Sequence, residues 1–330
     1  MRIDTIGRYF KIVMLCAGFA SVFAESAIPA AAQHYPTQTI RIVVGFGPGS
    51  AADVLARLVG KQMEAELGQP IVIENRPGNS SMTAAEFVTR APADGYTLFM
   101  GTVANTLNPI EMHTTFNLDQ ELAPVALLGV VPNVLVANPS VPANDLKELV
   151  ALAKSNPASL TFGSSGVGTA GHMAAELFNQ TIGTNVVIVP YQGGSGQAIT
   201  DLLAGRINLM FSVAVTVVPY VASGQLKAFA VAQQRRAAIL PNVPTLREAG
   251  MPGYDAGIWI GLLAPAATPA GIVDKVAAAA DDALKVEQVK TTLNKQGTDV
   301  IGSTPKEFGE FINADIKKWK AAFATAGGKK

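Results

Sequence analysis

Twice in this 330-residue chain a β-rich run leads into a loop of glycine and serine and then into a helical pattern. That repeated unit restricts the fold more than any other feature. The first copy has a strand at 39–44, the loop Gly45-Phe46-Gly47-Pro48-Gly49-Ser50, and a helix over 51–67. In that helix Val54, Leu55, Leu58, Val59 and Met63 share one face at spacings of three and four, and Gly68 ends it. A strand at 71–74, a loop at 75–81, a helix at 82–90 and a strand at 96–100 follow. The second copy has strands at 160–162, 186–189 and 207–211, with helices at 172–182 and 197–204 between them. The repeat is one of architecture, not of sequence. Alternating β and α elements predict an α/β protein of two lobes, each a mostly parallel sheet with helices on both faces.

Three further segments complete this reading. Residues 124–137 and 258–264 are nearly uncharged apolar stretches, read as strands that cross between lobes. Residues 272–293 are helical, 298–301 a short strand, and 308–323 an amphipathic last helix. The lobes are then 33–133 with 258–330, and 134–257.

Residues 1–32 have the order of an export signal. Arg2, Arg8 and Lys11 precede a 13-residue apolar run, 12–24, too short to span a bilayer, and small residues follow at Ala24 and Ala30–32. Cleavage after Ala32 is favoured over cleavage after Ala24. The only cysteine, Cys16, falls in this segment, so the mature chain has no disulfide, thiolate nucleophile or cysteine metal site. A cysteine-free exported chain suits a periplasm. No other apolar run reaches membrane-spanning length without Gly, Pro or charge.

Charge and composition narrow the function. With 25 basic against 25 acidic side chains the chain lacks the basic excess of a nucleic-acid binder, and 49% apolar residues supply a core. Two enzyme readings are weaker alternatives. Gly166-Val167-Gly168-Thr169-Ala170-Gly171 fits a dinucleotide fingerprint, but its next strand ends in Pro190-Tyr191 without the ribose-binding acid. The 45–50 loop lacks the last glycine and carries Pro48. Ser164, His172 and Asp201 could be drawn as a hydrolase triad, but no G-x-S-x-G elbow surrounds Ser164. His34, His113 and His172 are the only histidines, and no two share a helix face at metal-ligand spacing. No metal or cofactor is expected.

Both loops suit an anion instead. A helix N-terminus presents unpaired N–H groups and partial positive charge, and ligands of open α/β sheets sit beyond the carboxyl ends of the strands. Ser50 and Asp53 form an S-x-x-D capping box. Neither 45–53 nor 163–172 contains Lys or Arg. A carboxylate would be met by amides, by the hydroxyls of Ser50, Ser164, Ser165 and Thr169, by Asn105, and by a neutral His172.

These residues resemble a known family. Tyr35-Pro36, Phe46 to Asp53, Glu74-Asn75-Arg76-Pro77-Gly78, Ala91 to Thr97 and Asn108-Pro109 carry the likeness, followed by Gly163 to Gly166, Thr169 with His172, Val189-Pro190-Tyr191, Gly193, Asp201-Leu202-Leu203 and Pro241 to Thr245. The sequence resembles the Bug family, the TctC-like periplasmic receptors of tripartite tricarboxylate transporters, over essentially the whole mature chain. The resemblance implies a two-lobed periplasmic binding protein, a type II-like flytrap, that closes on a small carboxylic acid and delivers it to membrane transporter subunits as a monomer. By position it implies ligand contacts from Phe46, Ser50, Ala51, Ala52, Asp53 and Asn105 in one lobe. Ser164, Ser165, Thr169, His172 and Asp201 would come from the other. The chain departs from the family pattern at Gly47, at Ser50 and most clearly at Asn79-Ser80-Ser81, where members carry a glycine-rich run. Dicarboxylates, amino acids and aromatic acids all remain open as ligands. N-terminal sequencing of the periplasmic fraction is expected to read from Gln33; an intact Met1 in the cytosol would contradict the export reading.

Overall fold

The computed structural model describes residues 35–111, 114–167, 169–191 and 195–326. The export segment 1–32, His34, His113, Gly168 and Gly193 lie outside the described residues. The chain from Gln38 onward clusters as one unit, to which everything below belongs.

The first part contains β1 (Ile40–Val44), α1 (Ala51–Leu67), β2 (Ile71–Asn75), α2 (Met82–Thr89), β3 (Thr97–Thr102), α3 (Ala104–Glu111) and the single turn α4 (Leu118–Glu121). Strands β4 (Leu122–Val131) and β5 (Asn133–Ala137) follow, then α5 (Leu146–Ser155). The second repeat comprises β6 (Thr161–Ser164), α6 (Ala170–Ile182), β7 (Val187–Pro190), α7 (Ser195–Leu203), β8 (Leu209–Val213), α8 (Ala214–Ala222) and β9 (Lys227–Val231). The chain ends with β10 (Ile258–Pro265), α9 (Ala270–Lys285), α10 (Glu287–Lys295), β11 (Asp299–Val300) and α11 (Pro305–Ala326).

These strands form two sheets, ordered β11-β4-β10-β3-β1-β2 and β7-β6-β8-β5-β9. The repeat read from the sequence reappears as topology. In each sheet a parallel trio has its first strand in the middle: β1 between β2 and β3, and β6 between β7 and β8. The middle strand is the one followed by the glycine-rich loop. The added strands β4, β10 and β11 pair antiparallel, as do β5 and β9. Each sheet is therefore mixed, and its parallel character resides in the βαβ trio. β1 reads Ile-Arg-Ile-Val-Val because a central strand covered on both faces needs a near-continuous apolar run; four of its five residues are buried.

The chain passes from the first sheet to the second within one residue, Pro132, between β4 and β5. Proline donates no backbone hydrogen bond, so it suits the point where one ladder stops and another starts. Its carbonyl accepts from Ala214 N at 2.9 Å. The return differs from the sequence expectation. Strand β10 lies wholly in the first sheet, and the crossing back is the irregular stretch 232–257 before it. A run of apolar residues marks a buried strand but does not say to which sheet it belongs.

Aromatic side chains build both cores. Phe162, Phe211 and Tyr254 stack with centroids 5.8 and 6.0 Å apart, with Phe178 edge-on to Phe162 and Phe211. Behind α3, Trp259 meets Phe308 edge to face at 5.6 Å. Here Asp315, 4% exposed, accepts from Thr106 Oγ1 at 2.8 Å and Trp259 Nε1 at 2.9 Å, and pairs with Lys318 at 2.6 Å. One carboxylate thus ties α3, β10 and α11 together. Asp315→Ala would strand the buried Trp259 Nε1 and remove the counter-charge of Lys318, while Thr106 keeps the Val103 carbonyl and Lys318 the Asp255 carbonyl, and is expected to lower stability by roughly 3 kcal/mol in urea denaturation.

Candidate functional site

Three helices begin where strands β1, β3 and β6 end, and their first residues open on one cavity of about 600 Å³. From the first sheet come Phe46, Ser50, Ala51 and Ala52, the turn residue Ser80, and Thr102 to Ala104 with Leu107 and Asn108. The second sheet supplies Val167, Thr169 and Ala170, and Ile258 and Ile260 of β10 also line the wall. Residues 104, 107 and 108 fall on one face of α3, while Thr106 points the other way to Asp315.

The helix starts are capped. Ser50 Oγ accepts from Asp53 N at 3.3 Å, and Thr169 Oγ1 accepts from His172 N at 3.3 Å. Each cap uses one of the orphan N–H groups, and the first-turn amides of Ala51, Ala52 and Ala170 have no acceptor within their own helices. Gly171 lets α6 approach its sheet, since a Cβ there would stand 2.6 Å from the Phe211 carbonyl oxygen.

Of the residues expected from the sequence, Phe46, Ser50, Ala51, Ala52 and Thr169 meet at this cavity. The others are held elsewhere. Asp53 is 3% exposed and turns back on its own loop. Its carboxylate accepts from Gly49 N at 2.9 Å, from Arg57 Nε and Nη2 at 3.0 and 2.8 Å, and from Asn75 Nδ2 at 2.8 Å. Asn75 Nδ2 also donates to the Phe46 carbonyl at 2.9 Å. The capping box therefore reaches one residue further back than its simplest form. Asn105, 1% exposed, accepts from Thr102 N at 3.0 Å and so caps the end of β3.

In the second lobe Ser164 is fully buried with its Oγ 3.1 Å from His172 Nδ1. His172 Nε2 stands 4.0 Å from Glu176, in a separate surface depression beside Asn179 and Ala322. Burial holds the imidazole below its ordinary pKa, so it is neutral near pH 7. Asp201 accepts from Tyr191 OH at 2.8 Å and Arg206 Nη1 at 2.7 Å; it does not reach His172, and the three residues form no relay. Ser165 is half-buried beside the loop and is not among the cavity-lining residues.

Several wall residues escaped the sequence reading. Ser80 belongs to a turn in which Asn79, Ser80 and Ser81 all have positive φ, at 46°, 49° and 77°. Left-handed backbone of this kind is costly without glycine. Asn108 Nδ2 holds the turn by donating to the Ser80 carbonyl at 3.0 Å, and Ser81 is so close to Gly45 that a Cβ at 45 would meet its Oγ at 2.0 Å. The polar run Asn79-Ser80-Ser81 was the available signal. Among the described residues no cluster of His, Cys, Asp or Glu could hold a metal ion, and no helix is long and apolar enough to cross a membrane.

Two mixed α/β lobes with a ligand-sized cavity between their first-strand loops define the class of two-lobed solute-binding receptors. Residues 55–327 match the family model of the tripartite tricarboxylate transporter family receptor, TctC, and the chain belongs to that family of periplasmic binding proteins. It is 31% identical over 309 residues to protein BugT of Bordetella pertussis, covering 93% of this chain and 94% of that one. Among solved structures, MatC from Rhodopseudomonas palustris with bound malate is 33% identical, with 87% and 99% of the chains covered and a TM-score of 0.68. Rpa4515 from R. palustris with adipate is 32% identical, with 89% and 99% covered and a TM-score of 0.71. A TctC solute-binding protein from Polaromonas is 25% identical, with 88% and 100% covered and a TM-score of 0.82.

The Asp53 network yields a pH-dependent expectation. Burial works against ionisation, but the Arg57 guanidinium, the Gly49 N–H and the Asn75 amide outweigh it and hold the carboxyl below its ordinary value. A depressed carboxylate stabilises the fold in full above the unfolded-chain value of about 4, and that contribution is lost as pH falls through the folded value. Asp53→Asn is expected to cost about 2 kcal/mol at pH 7. The difference from wild type, followed by urea denaturation, should shrink as the pH is lowered below about 4.

Proposed function

We propose that the protein is a periplasmic receptor that captures a small carboxylic acid in the cavity between its lobes and delivers it to membrane transporter subunits. The carrying observation is that three helix N-termini, from both lobes, open on one cavity whose described lining contains no Lys or Arg. Aligned peptide dipoles and orphan N–H groups favour an anion there, each helix contributing roughly 0.3–1 kcal/mol and up to about 2 when partly buried. The relatives that hold malate and adipate support the same chemistry.

In this reading Phe46, Ser50, Ala51, Ala52 and Thr169 touch the ligand. Asp53, Asn105, Ser164, His172 and Asp201 are positioning residues that fix the loops and helix starts. The lobes, 33–133 with 258–330 and 134–257, close on the ligand, and the mature chain from Gln33 works as a monomer without metal or cofactor. Calorimetry against a carboxylic-acid library tests this. The methyl ester and amide of the best acid should bind far more weakly. Ser50→Ala should lose about ten- to hundredfold in affinity, because a bound charge is left short of a donor, and Thr169→Ala should weaken binding by loosening the start of α6, since its hydroxyl proton is held by the Gly166 carbonyl. His172→Ala should keep its affinity within a few-fold, and small-angle scattering should give a smaller radius of gyration with ligand. An ester that binds as tightly as its acid would refute the carboxylate reading.

A further inference from the structure

The described lining of the cavity contains no ionisable side chain of either sign. Its larger surfaces are Phe46, Val103, Leu107, Val167, Ile258 and Ile260. Two carboxylates come near, and both are engaged elsewhere. Asp53 follows Ala52 directly, but its oxygens are filled by Gly49, Arg57 and Asn75. Asp315 meets α3 through Thr106, on the face away from the cavity. The neutral polar groups are partly used as well. Asn108 Nδ2 is given to the Ser80 carbonyl, and Thr102 Oγ1 accepts from Ala104 N at 3.3 Å. The Asn79–Ser81 turn that carries Ser80 is pinned by Asn108 and wedged against Gly45, so this wall is not free to bring in a counter-charge.

We propose that the site selects carboxylic acids with an uncharged, apolar body and rejects α-amino acids; this deepens the carboxylate reading and rests on it. The helix starts meet the carboxylate, and the apolar wall meets the hydrocarbon. An α-ammonium would lie within a few ångströms of the carboxylate, facing the positive ends of the helices with no anionic partner. Burying such a charge unpaired is strongly unfavourable.

Hexanoate and norleucine share one skeleton and differ only in that ammonium, and hexanamide differs only in the carboxylate. Titration of the mature protein with these three probes is expected to show hexanoate binding at least about a hundredfold tighter than norleucine. Ala104→Asp places an anion at the start of α3, where a helix tolerates it, and is expected to narrow that ratio about tenfold. Norleucine binding as tightly as hexanoate overturns the proposal and leaves the carboxylate reading standing. So does failure of hexanoate to bind when another acid of the library does, and so does a ratio unmoved in Ala104→Asp. Hexanamide matching hexanoate overturns the carboxylate reading itself, as does the absence of binding by every acid at millimolar concentration.

Discussion

The carboxylate of Asp53 holds the first glycine-rich loop to the first sheet. Four donors from three parts of the chain converge on it: the Gly49 amide, two nitrogens of Arg57 and the Asn75 side chain. Asn75 then passes the constraint to the Phe46 carbonyl. The loop 45–50 has three glycines and little side-chain mass with which to fix itself. Without this network the Ser50 cap and the amides of Ala51 and Ala52 would have no defined direction. The cost of burying the charge is offset because hydrogen bonds to charged groups are the strong ones. The wall around the cavity is placed in turn by this loop, since Ser81 rests against Gly45 and Asn108 holds Ser80.

The second lobe solves the same problem with neutral groups. Thr169 caps α6 and donates to the Gly166 carbonyl at 2.8 Å, while Ser164 and His172 join the strand end to the first turn of the helix. An imidazole kept neutral by burial adds no charge beside the positive helix end. The two lobes therefore present similar helix termini to the cavity, one tied by an ion pair and one by hydroxyl groups and a ring nitrogen.

Much of this was legible in the sequence wherever local chemistry decides the outcome. The bounds of α1 follow from Ser50 and Asp53 at one end and Gly68 at the other, which has φ of 66°. The strand–loop–helix units and their repetition follow from periodicity, while the order of strands within each sheet emerges only in the fold. The family likeness read from the motifs agrees with the matched family. Legibility failed where distant parts of the chain decide. Asp53 lies in a motif at the mouth of the cavity, and only the fold, by bringing up Asn75, shows which way its carboxylate points. Helix α3 buries Asn105, Thr106 and Asn108 together with Leu107, and contains Pro109, so it has neither clean amphipathic periodicity nor ordinary helix composition. Its polar residues are buried because β3, Asp315 and the Ser80 turn each supply a partner.

Pro132 is the whole direct connection between β4 and β5. A joint one residue long has no slack. The two sheets cannot slide past each other at this joint without tearing a ladder on one side of it, and a change in their angle would turn about it. Rotation about a fixed corner opens a wedge: groups beside Pro132 barely move, and those at the far rim of the cavity travel furthest. The angle between the sheets at that corner therefore sets how wide the cavity stands at its far rim.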